Sequence, residues 1–459
     1  MSAPGVRAAA WGSGTAIVLI AVAIAVPPLT GWNVHVNSFP PLHAEWMPRL
    51  GPGTPLAILL GVAGILWGPG LAASARWGRV LLISFAASGL WLFALATVDG
   101  LDGIGTILDH RYEYLGTARQ VDDIGATLHE YIERIPYAHE HNWPVHIAGH
   151  PPGALLFFVA LVRLGLGSAL AAGFVVLLLG ATTAVAVLIA LKALGAENLA
   201  RRAAPFLVFT PSAIWVAVSG DGMFAAVAAW GVCLLALSTA AAGIARIGWA
   251  IGSGLLLGYC VMLSYGLPLL GVLAVAVLIA GRSWSPLPIA AAAALAVVVA
   301  FAVNGFAWWE AFPVLQQRYW DGVASRRPPE YWLWGNLAAF AISAGPAIGA
   351  SIAAAGAGVS AAASALRGRG SRATGAARAS DAAFSPRSVV LLLCGAGVLM
   401  VLLADLSGMS RAEVERIWLP FVPWVTIGLG LYGARTRRAL LAGQIVFAIV
   451  VQSLLATGW

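Results

Sequence analysis

The sequence predicts an all-α polytopic membrane protein, with about thirteen transmembrane helices and additional short juxtamembrane helices on the outer face. Three observations predict it. The 459 residues are 60% hydrophobic and 10% charged, against about 25% charged residues in a soluble domain. Apolar runs recur that are long enough to cross a hydrocarbon core of roughly 30 Å as helices. Arginines gather in the short connections between runs, the pattern of cytoplasmic loops. A soluble multi-domain enzyme is excluded. The net charge of +7 therefore reads as loop charge, and the expected partners are membrane lipids, with no nucleic acid.

The spans are read at Gly12–Leu29, Thr54–Trp67, Val80–Val98, Leu170–Leu191, Pro205–Ser219, Gly222–Ala241, Gly248–Ser264, Tyr265–Ala280, Leu287–Phe306, Leu333–Ala354, Ser388–Ala404, Ile417–Leu431 and Ala439–Leu455. The first follows a single Arg and lacks a small-residue cleavage site, so it is expected to be retained rather than removed as a signal peptide. Cys233, Cys260 and Cys394 all lie inside apolar runs, where a thiol behaves as a small hydrophobe. Residues 355–387, rich in Ala, Gly, Ser and Arg, read as a flexible cytoplasmic linker. No internal repeat of the secondary-transporter kind is found.

Charge placement sets the topology. The apolar segment 153–164 is short and ends near Arg163, as an interfacial helix does. Were it to span, the loops with Lys192, Arg201 and Arg202 and with Arg367, Arg369, Arg372 and Arg378 would fall outside. As an interfacial helix it lets them join Arg76, Arg79, Arg246, Arg282, Arg435, Arg437 and Arg438 on the cytoplasmic side. The N-terminus is then inside, the C-terminus outside. Four loops share the outer face: 31–53, 99–152, 307–332 and 405–415.

The 99–152 loop concentrates acids and histidines in a chain poor in charge, and as a whole it reads as a site. Any single carboxylate in it reads first as a solvated loop charge. Asp122 and Asp123 precede Ile124, Leu128, Tyr131 and Ile135 at helical spacing, so they are either a helix cap or a general base. A second acidic pattern runs from Asp109 to Tyr114 and offers Glu113. His139 and His141 fit no standard zinc spacing, so no metal site is assigned. The sequence calls for no cofactor and leaves a divalent cation open. His150-Pro151-Pro152 is a helix-start signal that stands His150 toward the outer cavity. Late in the chain, Glu413 and Glu415 flank Arg416, which either snorkels to the interface or holds a phosphate in its planar fork. Arg318, Arg326 and Arg327, in a Trp-rich loop, are weaker candidates for the same work. The tryptophans there suit an interfacial belt as well as sugar stacking.

Three pieces, in this order, resemble the GT-C superfamily of polyprenyl-phosphate-sugar-dependent glycosyltransferases, in particular its protein mannosyltransferase and aminoarabinose transferase branch. Asp122-Asp123 looks like that family's acidic pair opening an outer-loop helix. His150-Pro151-Pro152-Gly153-Ala154-Leu155-Leu156-Phe157 is similar to its Lys- or His-Pro-Pro segment at the head of a horizontal helix. Arg416-Ile417-Trp418-Leu419-Pro420-Phe421-Val422-Pro423 is similar to its late Arg-Tyr-x-x-Pro-x-x-Pro stretch. Asp221 falls where the family has an Asp. The chain departs from the pattern in two extra spans before the acidic pair and in the 99–120 insert, which holds the Glu113 alternative.

The resemblance implies an inverting transfer from a polyprenyl-phosphate sugar donor to a lipid, glycan or protein acceptor, at the extracytoplasmic face of the cell membrane. Asp122 or Asp123 would be the base, with Glu113 as rival. His150, Arg416, Glu413, Glu415, Asp221 and Arg318 would bind substrate. A transporter or lipid flippase is the main alternative, disfavoured by the scarcity of ionisable residues inside the spans. A purely structural protein comes third.

Overall fold

The computed structural model describes residues 5–36, 38–357 and 384–458. It is a helical bundle, and the one sheet among the described residues is an antiparallel pairing of Ala44–Trp46 with Leu455–Thr457. Eight helices are long and apolar enough to cross a membrane, or ten if each of two bent pairs forms one span. The 355–387 linker lies almost wholly outside the described residues.

Ten of the thirteen expected spans coincide with these eight helices and two bent pairs. The remaining three do not reach spanning length. Glu197–Val208 carries Pro205 and stops ahead of Pro211, the Leu267–Ala280 segment opens as a 3₁₀ turn over Pro268, and Val422–Leu431 follows Pro420 and contains Pro423. Proline removes a backbone donor and crowds the preceding turn, so each run breaks where its sequence carries one. Glu197–Val208 and Val422–Leu431 are mostly buried, whereas Leu267–Ala280 keeps Val275 and Ile279 exposed on one side; irregular backbone at membrane depth is tolerated where protein covers it.

Burial grades the bundle from rim to centre. The best apolar window of Pro286–Val303 is 11% buried and that of Val6–Thr30 22%, whereas that of Gly220–Ala240 is 72% buried. Pro286–Val303 therefore packs along one face only, against Gly243–Leu263. There Gly254 and Gly258, one helical turn apart, leave no room for a Cβ against the Ala290 and Ala294 backbone. This is the small-residue approach that membrane helices use in place of a hydrophobic driving force.

Side-chain bonds gather the loops into two sets. Arg49 forks onto Asp99 at 2.5 and 2.9 Å, Arg318 donates to the Trp143 carbonyl, Arg327 reaches His35 and His43, and Arg411 donates to Ala324 and Arg327 carbonyls. Residues 31–53, 99–152, 307–332 and 405–415 are thus brought together. In the second set Arg201 donates to the Ala72 and Ala75 carbonyls, and Lys192 and Arg201 both lie over Trp77. The 197–219 segment starts beside Arg201 in the second set and leads to Asp221, which bonds Arg416 beside the first.

Candidate functional site

Where the first set of loops meets the bundle, four elements deliver charged groups to one place. The helix Gly220–Ala240 is capped by Ser219, whose Oγ accepts from Gly222 N at 3.2 Å, and its second residue is Asp221. The turn Val414–Ile417 carries Arg416 and is entered through Ala412 and Glu413, at φ +74° and +64°. Two successive non-glycine residues in the left-handed region are a local strain that the surrounding packing sustains. The Tyr114–Ala118 helix begins at Glu113, and the Val145–Gly149 helix carries His146 and ends at His150.

These groups form one chain of bonds. Arg416 donates to Asp221 at 2.5 Å, to Glu413 at 3.1 Å and to His146 Nε2 at 2.9 Å. His146 Nδ1 lies 2.7 Å from Glu113 Oε1. A guanidinium can only donate, so His146 Nε2 must present its lone pair and the ring proton must sit on Nδ1, donating to Glu113. His146 is therefore neutral here, clamped between a carboxylate and a guanidinium. Burial opposes the charge on Arg416, but Asp221, Glu413 and Glu113 outweigh it and hold the guanidinium protonated. Burial likewise pushes Glu413 up, and the Arg416 and Arg327 guanidiniums more than offset it, so the carboxyl is held down at about 2.

His150 Nδ1 is 2.7 Å from the His146 carbonyl and 2.8 Å from the Tyr114 hydroxyl. The carbonyl can only accept, so Nδ1 carries the proton and Nε2 the lone pair. Burial lowers the pKa of His150, against an upward pull from Asp221. Burial also lowers that of His43, which Glu413 pulls up and Arg327 and Arg416 push down.

The chain of bonds opens on a cavity of about 540 Å³ whose lining includes His146, His150, Glu413 and Arg416. Trp308 stacks on Phe312 with ring centroids 5.2 Å apart and planes 10° from parallel, and Tyr265 leans on both rings. The Tyr265 hydroxyl and the Trp308 indole N–H have no hydrogen-bond partner among the described residues. Arg318, Arg327 and Arg411 complete the polar part of the wall. Among the described residues no group of three or more His, Cys, Asp or Glu is arranged to hold a metal ion.

Of the residues expected from sequence, Glu113, His150, Asp221, Glu413 and Arg416 are brought together, and Arg318 lines the same cavity. Asp122 and Asp123 are not brought there. Both are exposed and outside the cavity lining; the Asp123 carboxylate caps Ile124–Glu130 by accepting from Ala126 N at 3.1 Å, and the Asp122 carbonyl accepts from Arg163. Glu415 is buried behind the cavity wall, where its backbone carbonyl accepts from Ser343 Oγ. The segment expected to lie in the interface is the helix Pro152–Arg163; at about 1.5 Å per residue it is too short to cross a bilayer.

Sequence reading assigned no role to His43, Tyr114, His146 or Arg411. The Tyr-Glu-Tyr triplet around Glu113 was a usable signal for Tyr114. His43 has none, because its partners Glu413 and Arg327 lie hundreds of residues away. Compared with models of known protein families and with curated proteins, the chain matches none.

Proposed function

We propose that the chain is a membrane glycosyltransferase that moves a sugar from a polyprenyl-phosphate donor to a lipid, glycan or protein acceptor on the extracytoplasmic face. The observation that carries this reading is the buried bond chain Glu113–His146–Arg416–Asp221/Glu413 opening on a cavity of about 540 Å³ that also holds an aromatic platform. The volume suits a sugar phosphate with part of its acceptor. Trp308 and Phe312, with Tyr265 against both, offer a sugar ring an apolar aromatic surface. In the same reading the three short segments cross the bilayer as broken helices, making thirteen crossings with the N-terminus inside.

The chemistry follows from the proton assignment. The acceptor hydroxyl attacks the anomeric carbon, and the bond from that carbon to the phosphate oxygen breaks with inversion. The polyprenyl phosphate leaves with the electron pair. A phosphate oxygen beside Arg416 competes with Glu413 and His146 for the guanidinium, which stabilises the departing charge. His146 Nε2, released from Arg416, takes the acceptor's proton, and Glu113 stabilises the resulting imidazolium across the Nδ1–H bond. The loop carboxylate in the reaction is therefore Glu113, acting through His146, and the Asp122–Asp123 pair is left to organise its helix.

The test is transfer of radiolabelled sugar from a polyprenyl-phosphate donor in membranes with equal amounts of wild-type chain and Glu113→Gln. The variant is expected to lose about 100-fold or more in rate. A fully active variant removes this reading of the site. Movement of the lipid-linked sugar across the bilayer with no new glycosidic bond turns the reading to a flippase.

A further inference from the structure

We infer that the cavity binds a second anionic group besides the donor phosphate, at a subsite formed by Arg318 and Arg411. This rests on the reading of the cavity as a sugar-phosphate site and extends it to the charge of the substrate. Four arginines line the cavity, Arg318, Arg327, Arg411 and Arg416, against a single carboxylate, Glu413. That carboxylate is already shared, at 3.1 Å from Arg416 and 3.7 Å from Arg327. Arg318 and Arg411 form no ion pair with any Asp or Glu among the described residues.

Arg318 is 5% exposed. It sits over the Tyr137 ring and is braced by the carbonyls of Ile135 and Trp143 and by Asn142 Oδ1. Arg411 sits over Trp320, donates to the carbonyls of Ala324 and Arg327, and gives its backbone N–H to the hydroxyl of Tyr319, the residue next to Arg318. Neutral carbonyls and rings fix the two cations without cancelling them. Burial lowers the pKa of Arg318, the sign of a charge held without a nearby counter-ion. A buried, uncompensated cation is costly unless an anion completes it. The bonds of Arg318 and Arg411 include none of Asp221, His146 and Glu413, which hold Arg416, so this is a place distinct from the one assigned to the donor phosphate.

The group that fits is an oxyanion, phosphate or carboxylate, which arginine grips in bidentate fashion. It belongs either to the acceptor, which is then an acidic molecule, or to a second phosphate of the donor, which is then a diphosphate. Calorimetry on the purified full chain in detergent separates these, with inorganic phosphate, farnesyl phosphate and farnesyl diphosphate as ligands. Inorganic phosphate that still binds over saturating farnesyl phosphate, about tenfold or more weaker in Arg318→Gln and Arg411→Gln, places the anion on the acceptor. A tenfold preference for the diphosphate, lost in the same variants, places it on the donor. Phosphate binding indifferent to both substitutions, or absent, together with equal affinity for the two farnesyl ligands, overturns the subsite. Failure of farnesyl phosphate to bind at all counts against the donor reading instead, and inorganic phosphate alone, compared between wild type and Arg411→Gln, then decides the subsite. Arg411 stands half-buried in a loop, so its variant reads the subsite even where Arg318→Gln does not fold.

Discussion

Arg416 and His146 are 270 residues apart in the chain, yet one bond between them fixes where the imidazole proton sits. This separates the two acidic patterns of the 99–152 loop by experiment. His146→Gln, like Glu113→Gln, is expected to lower transfer by about 100-fold or more. Asp122→Asn and Asp123→Asn should keep the wild-type rate, and Asp123→Ala should cost only the cap, about 1 kcal/mol of stability. Rates measured at equal expression decide it: a dead Asp122→Asn beside an active His146→Gln would return the base to the acidic pair. Arg416→Ala strands the buried carboxylate of Asp221 without its countercharge, at a cost of about 3–5 kcal/mol, while Glu413 keeps Arg327. Arg416→Lys, which keeps the charge and loses the fork, is the cleaner variant, and partial activity is expected of it. Two histidines of the centre add a pH effect. His43 and His150 have folded pKa values below the ordinary 6.5, burial being the largest cause. The unfolded chain then binds their protons first, so their stabilisation is full above about 6.5 and is lost as pH falls below it. Thermal midpoints from pH 8 to 5 should fall, and His150→Gln should flatten the decline; an unchanged slope would contradict the assignment. The residue types at this centre were legible in sequence, because Glu113, His150, Asp221, Glu413 and Arg416 are conspicuous in so apolar a chain. The pairing of Arg416 with Asp221 and His146 was not, since 195 and 270 residues separate the partners.

Among the elements, the legible part was the long helices, whose apolar runs satisfy the length that a bilayer demands. What the apolar count obscured was the punctuation inside three of the runs. Pro211, Pro268, Pro420 and Pro423 stood in plain view, but hydropathy treats proline as one more uncharged residue, whereas the backbone treats it as a missing donor. The break after Phe209 leads, through Pro211, to the turn before Ser219, which begins a new helix and sets Asp221 at its first turn beside Arg416. An unbroken helix over the same residues would have no start there. The contact of Gly243–Leu263 with Pro286–Val303 makes a different prediction. A side chain at Gly254 or Gly258 must push apart two helices, one of which packs along a single face. Gly258→Leu is expected to lower the thermal midpoint in detergent by several degrees, with Gly248→Leu as control, since a Cβ at Gly248 meets nothing. Equal midpoints would mean that the close approach contributes little.

For the whole molecule, the two loop sets define a polarity that labelling can read. Cysteines introduced at Gln120 and at Ser74, one in each set, are expected to react with a membrane-impermeant maleimide from opposite sides of intact cells; reaction from one side would dismantle the topology. The set that holds the cavity is closed by the pairing of Ala44–Trp46 with Leu455–Thr457 and by Arg49, which bonds both Asp99 and the carbonyl of Leu455, 406 residues further along. That closure has a consequence for biosynthesis. The strand Ala44–Trp46 has no partner until Leu455–Thr457, which begins 406 residues after Arg49, has been made. His43, just ahead of that strand, cannot take up its place beside Glu413 until that residue too has been made. Closure of the charged centre thus follows synthesis of the segments that carry Glu413 and Leu455, so a chain interrupted before them would leave the cavity unassembled.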